Sequence, residues 1–201
     1  MVDEPSGTTD RPGSTDNGRP RLVVLSGPSG VGKTSVVDQV RDQLPQVFFS
    51  ISVTTRPARP GERDGEHYRF IDGETFDRML ANAQLIEHAE YAGNWYGTPR
   101  APVEQALAAG RPVLLEIELQ GARQVRASMP DALLVMLVPP TWSDLVDRLT
   151  ARGTEPDEVL AHRLCVAREE LSAAGEFDVT VVNDNVREAA ARLVTLLCGQ
   201  C

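Results

Sequence analysis

Gly27-Pro28-Ser29-Gly30-Val31-Gly32-Lys33-Thr34 sets glycines, one lysine and one hydroxyl at the spacing a polyphosphate needs. The segment fits G-x-x-x-x-G-K-[ST]. In that pattern the glycines let backbone N–H groups turn inward around phosphate oxygens, the lysine reaches the β- and γ-phosphates, and the hydroxyl can ligate Mg²⁺. The neighbours suit this chemistry. Arg21–Ser26 is a short apolar run of the kind a buried strand needs, and Thr34–Leu44 carries Val36, Val37, Val40 and Leu44 near helical spacing. A helix beginning there adds partial positive charge where an anion would sit. A bare glycine turn would need neither the strand nor the helix. Together they indicate a nucleoside triphosphate, without saying what becomes of it.

Other residues could hold a second substrate. Ser52-Val-Thr-Thr-Arg56-Pro-Ala-Arg59-Pro-Gly-Glu62 places two arginines near hydroxyls, and arginine grips a phosphate as a planar fork. A solvated polar loop has the same composition, so the segment alone is ambiguous. Glu87, Tyr96 and Thr98 lie in Leu85–Thr98, which by itself reads as an ordinary hairpin. Glu116 and Glu118 end the apolar run Leu114–Ile117, and ligands of open parallel sheets sit beyond the carboxyl ends of strands. Arg148, Arg152 and Arg163 flank the polar turn Gly153–Pro156, and Asn183 lies in an Asn-rich turn after the last apolar run.

The elements that must position these residues alternate. Strands are expected at Phe48–Val53, Tyr68–Ile71, Leu85–Tyr91, Trp95–Thr98, Pro112–Ile117, Ala132–Val138 and Val179–Val182. Helices are expected at Glu74–Asn82, Val103–Ala109, Gly121–Ser128, Ser143–Ala151, Asp157–Ala173 and Val186–Leu197. Strands separated by helices imply an α/β domain with a parallel sheet covered on both faces. The β-rich stretch in the middle interrupts that alternation and predicts an inserted lobe. Residues 1–20 hold almost no apolar side chain and read as a disordered tail.

Composition narrows the partners. Twenty basic against 29 acidic residues give a formal charge of −9, which argues against nucleic acid or an anionic membrane as the main partner. No apolar run reaches the length of a membrane span. Cys165, Cys198 and Cys201 make an odd count without a C-x-x-C pair, so a cytoplasmic setting is expected rather than a disulfide framework or a zinc site.

GPSGVGKT, SVTTRPARPGE, Gly65-x-x-Tyr68-x-Phe70, IEHAEYAGNWYGT, EIELQG, ARGTE and VVNDN occur in the order seen in guanylate kinases. The chain resembles that family from about Arg21 to Leu197. The resemblance implies a P-loop NTPase fold, with a parallel five-stranded core sheet and helices on both faces. It implies a core of residues 21–51, 99–147 and 164–201, a GMP-binding lobe at about 52–98 and a small helical lid at about 148–163. It also implies reversible, Mg²⁺-dependent transfer of the ATP γ-phosphoryl group to GMP or dGMP, in purine nucleotide metabolism, with no obligatory protein partner.

By the same resemblance, Gly27 through Ser35 and Asn183 would bind ATP, and Thr34 would ligate Mg²⁺. Ser52, Arg56, Arg59, Tyr68, Glu87, Tyr96, Thr98 and Glu118 would bind GMP. Lys33, Arg56, Arg148, Arg152 and Arg163 would neutralise charge on the moving group. Carboxylates suit guanine, which offers N1–H and N2–H₂ as donors, whereas adenine presents an acceptor at N1 and has no 2-amino group. The chain departs from the family where Glu116-Ile-Glu118 replaces the frequent Asp-x-Asp, which leaves Glu116 either a water-mediated Mg²⁺ ligand or an acceptor contact. Trp95 stands where tyrosine is frequent. Three rivals remain: a kinase for another nucleoside monophosphate, a noncatalytic guanylate-kinase-like module, and a P-loop GTPase or motor. Glu87 and Glu118 oppose the first, the intact phosphate loop the second, and the missing lysine of an Asn-Lys-x-Asp base-reading motif the third.

Overall fold

The computed structural model describes residues 21–91, 93–150 and 157–199. Its elements run β1 (Leu22–Ser26), α1 (Lys33–Gln43), β2 (Phe48–Phe49), β3 (Val53–Thr54), β4 (Arg69–Phe70), α2 (Gly73–Ala81), β5 (Leu85–Tyr91), β6 (Asn94–Pro99) and α3 (Arg100–Ala108). They continue with β7 (Val113–Glu116), α4 (Leu119–Ser128), β8 (Leu133–Val138), α5 (Trp142–Thr150), α6 (Asp157–Ser172), a 3-10 turn, β9 (Val179–Val182) and α7 (Val186–Leu197).

Every residue of β1 is buried, which a strand tolerates only when both faces are covered. It lies at the centre of a five-stranded sheet of order β2-β7-β1-β8-β9, all pairs parallel. Its side chains alternate between two cores. Val23 and Leu25 face α1, α5, α6 and α7, packing with Val36, Leu145, Ala167 and Leu193. Leu22 and Val24 join Val103 of α3 and Ala122 and Val125 of α4 on the opposite face. Each such aliphatic side chain contributes roughly 1.5–3 kcal/mol by leaving water. Register puts Leu25 beside Glu116 and Ser26 beside Met136, so the loops after β1, β7 and β8 leave the sheet at one edge.

A second sheet of order β4-β3-β6-β5 has its own small core. Phe76 of α2, 1% exposed, packs with Val53 and Leu85 and stacks on Trp95 with ring centroids 5.7 Å apart. Asp72 caps α2 by accepting the Thr75 N–H at 2.7 Å.

β5 is an edge strand of this sheet, and α4 covers it. The Gln124 amide accepts the His88 N–H at 3.0 Å and donates to the His88 carbonyl at 2.6 Å. The Ser128 hydroxyl donates to the Ile86 carbonyl at 3.3 Å.

The expected strand Phe48–Val53 is corrected: it is two strands in two sheets. Phe48–Phe49 pairs with β7, and the Ser50 N–H still reaches the Leu114 carbonyl at 3.4 Å before the chain leaves. Val53 then enters the other core, pairing with Arg69 and Gly97. Alternation of apolar residues with Ser50 and Ser52 looks continuous along the chain, but Val53 and Phe49 serve different cores. The predicted tail and the turn at 152–156 lie outside the described residues.

Phe76→Ala removes the ring that holds the smaller sheet together. It is expected to lower stability by about 3–5 kcal/mol, read from urea unfolding of the two proteins.

Candidate active site

The phosphate loop begins where β1 ends. Gly27 has φ 152°, and a Cβ there would lie 2.3 Å from the Leu137 carbonyl oxygen of β8, so no other residue fits. The Val31 N–H closes a turn onto the Pro28 carbonyl at 3.1 Å. Val31 is fully buried, and its carbonyl accepts from Arg148 at 3.2 Å and from the Asn183 amide at 2.8 Å. Arg148 also donates to the Asn183 carbonyl at 3.1 Å, and Arg163 donates to the Ser29 hydroxyl at 2.7 Å. The loop is thus held by residues from α5, α6 and the turn after β9. The Asn183 Oδ1, buried, has no hydrogen-bond partner among the described residues.

Lys33, Thr34 and Ser35 form the first turn of α1, with Thr34 and Ser35 exposed. The Lys33 ammonium donates to the Gly27 carbonyl and stands 3.8 Å from the Glu118 carboxylate. Three acids surround it. Burial raises the Glu116 carboxyl above its ordinary range, Lys33 opposes that rise, and Glu118 and Asp38 add to it. Glu116 as a whole residue is exposed at the end of β7, so water tempers that rise. Glu170 of α6 is 7% exposed, and burial together with Glu118 pushes its carboxyl up to about 7. The Glu118 side chain beside it adds to that rise, and Lys33 and the Ser29 backbone oppose it. The hydroxyl of Thr34 and the carboxylate of Glu116 are both hard oxygen donors, a set that suits Mg²⁺ rather than a softer metal.

A second cationic arm faces this edge from the smaller sheet. Arg56, 8% exposed, donates to both oxygens of Glu62 at 2.6 and 2.7 Å and to the Pro57 carbonyl at 2.9 Å. Its guanidinium lies over the rings of Tyr68 and Phe70, 5.0 and 5.6 Å from their centroids, and bonds to Tyr96. The Glu62 carboxylate, held by Arg56 and by the Arg59 N–H, falls to about 2, and Arg56 is raised in turn. Burial, then Tyr96, raises the Tyr68 phenol, and the two rings meet edge to face at 5.9 Å. The Arg59 side chain points to solvent, and Ser52 is half-buried.

Glu87 and Thr98 form a buried pair on β5 and β6. The Thr98 hydroxyl donates to Glu87 at 2.6 Å, the two residues are 1% and 6% exposed respectively, and burial raises the Glu87 carboxyl. Helix α4 presses Gly121 against this carboxylate: a Cβ there would sit 2.6 Å from Glu87 Oε2.

The guanylate kinase family model matches residues 19–199. A guanylate kinase of Thermobifida fusca is 60% identical over 179 residues, covering 89% of this chain and 91% of that protein. One of Streptomyces coelicolor is 56% identical, covering 98% of each. The crystal structure of guanylate kinase from Anaplasma phagocytophilum superposes with a TM-score of 0.72 at 33% identity, covering 91% of this chain and 87% of that one. The chain belongs to the guanylate kinase family.

Against this guanylate kinase frame, the expected residues fall into three groups. Gly27 to Ser35, Arg148, Arg163 and Asn183 meet around one loop. Arg56, Tyr68 and Tyr96 meet at a second place, and Glu87 and Thr98 at a third. Glu118 points to Lys33 and Glu170 rather than to the Glu87–Thr98 pair. Arg152 lies outside the described residues. Three participants escaped the sequence: Glu62, which pins Arg56, Gly121, which makes room for Glu87, and Glu170. The signal for Glu170 was its position seven residues after Arg163, on the same face of a helix.

Gly121→Ala forces its methyl onto the Glu87 carboxylate. It is expected to raise KM for the base-bearing acceptor at least ~10-fold, the order of a lost buried polar contact, with KM for ATP nearly unchanged in steady-state assays.

Proposed function

We propose that this chain transfers the γ-phosphoryl group of ATP to GMP, giving ADP and GDP reversibly, with GMP held by Arg56, Arg59, Tyr68, Tyr96 and the Glu87–Thr98 pair. The observation that carries this is the buried Glu87–Thr98 pair. A carboxylate so far from water needs donors, and the N1–H and N2–H₂ edge of guanine supplies them, while Thr98 beside it would face O6 or N7. Adenine would set its N1 lone pair against the acid.

The two anion sites divide the work. The loop from Gly27 to Ser35 receives the donor's phosphates, and Lys33, which here donates to the Gly27 carbonyl, would exchange that partner for the β- and γ-oxygens. Arg148 and Arg163 already touch that loop, which supports a role for them in neutralising charge on the transferring group. Arg56, fixed in orientation by Glu62, offers the rest of its fork to the acceptor phosphate. The nucleophile is an anionic phosphate oxygen, so no strong general base is needed. Positioning in line and neutralising charge supply the catalysis. Thr34, with Glu116 through water, would hold Mg²⁺, which when bound neutralises charge on the donor's phosphates. The exposed thiols of Cys165 and Cys198 suit a reducing cytoplasm.

A coupled assay of ADP formation tests the assignment, comparing GMP with AMP, CMP, UMP and no acceptor. GMP is expected to be preferred by orders of magnitude, and an acceptor-independent rate would overturn it. Glu87→Gln is expected to erode the preference for GMP by roughly 10- to 100-fold, the worth of a charged hydrogen bond. Lys33→Ala is expected to abolish turnover with the melting temperature within a few degrees of the parent; retained turnover removes Lys33 from the mechanism.

A further inference from the structure

Glu170 is a buried acid with no part in the mechanism above. Burial of a carboxyl is costly unless its oxygens are matched by hydrogen bonds, and two partners stand beside it. One link runs to the backbone N–H of Ser29 and the other to the side chain of Glu118, which faces Lys33 at 3.8 Å. Arg163 lies seven residues earlier on α6, about 20° short of two full turns, and so on the same face. It holds the same loop residue by the Ser29 hydroxyl at 2.7 Å. One helix therefore takes Ser29 by its main chain and by its side chain.

A phosphate loop works because successive N–H groups aim at one point. The Ser29 backbone is a partner of Glu170, and that contact constrains the plane of the peptide and hence the direction in which the next ones face. We propose that Glu170 is a positioning residue for phosphoryl transfer: it fixes the Ser29 peptide from outside the loop, so that the N–H groups of Gly30 and of Gly32 onward stay directed at the donor's phosphates. The same carboxyl, through Glu118, keeps Lys33 at the mouth of the loop. This rests on the loop being the ATP site, as proposed above, and it predicts a defect confined to the donor.

The test compares wild type, Glu170→Gln and Glu170→Leu. Glutamine keeps an oxygen for the Ser29 N–H and an NH₂ for Glu118, while leucine fills the space with neither. KM for ATP and for GMP, kcat, melting temperature and the Kd of Mg·ATP by calorimetry are measured for each. Glu170→Leu is expected to raise KM and Kd for ATP roughly 10-fold or more, the order expected when a buried N–H loses its acceptor, with KM for GMP within about 2-fold. Glu170→Gln is expected to recover ATP binding to within about 3-fold of wild type. An unchanged ATP affinity in Glu170→Leu, a parallel rise for both substrates, or a Gln variant as weak as the Leu variant would each overturn the inference. If Glu170→Leu does not fold, Glu170→Asp withdraws the acid by about a bond length and is read the same way. Wild type without GMP-dependent ADP formation would sink the proposed function instead, and calorimetry with Mg·ATP still decides the role of Glu170.

Discussion

The contact of Gly27 with the Leu137 carbonyl is the constraint on which the edge of the large sheet depends. A side chain at that point would occupy the space of β8 itself, so the chain leaves β1 hard against its neighbour and turns at once. That turn aims α1 and brings the loop under Arg148, Arg163 and Asn183. Parallel pairing does the rest, because it ends β7, β8 and β9 at the same edge and carries Glu116 and Asn183 to the loop. The position of the loop is a property of backbone packing, before any charge is considered.

Charge then has to be managed in an acidic molecule. A chain of net charge −9 repels the anions it must hold, so its cations are kept in place by acids at short range. Glu62 locks Arg56 in one orientation, and Glu118 stands by Lys33. In each case a carboxylate of the protein stands at a cation that the proposed function assigns to a phosphate. The cation is therefore pre-oriented, and its charge is partly screened until substrate arrives. Aromatic rings around Arg56 limit its freedom further.

Much of this could be read along the chain, because phosphate loops and amphipathic helices are local patterns. The loop, the flanking strand and helix, and the alternating order of elements follow from spacing alone, and the helix limits lie within a few residues of those expected. What could not be read depends on partners distant in sequence. Phe48–Val53 satisfies the pattern of one strand, and only the presence of Phe76 and Leu85 in another core divides it. Glu170 looks like one more acid on a solvated helix face until α6 is laid over the loop. Gly121 looks like an ordinary helix residue until Glu87 arrives from β5. Arg56 and Glu62 stood together in a recognisable segment, yet their pairing is a fact of geometry, not of spacing.

Helix α4 has one more effect, through Gln124 and Ser128. The outer rim of β5 would otherwise present free N–H and C=O groups, a template for pairing with any foreign strand. Gln124 satisfies both groups of His88, and Ser128 takes the carbonyl of Ile86. The short sheet is thereby protected from self-association along its side.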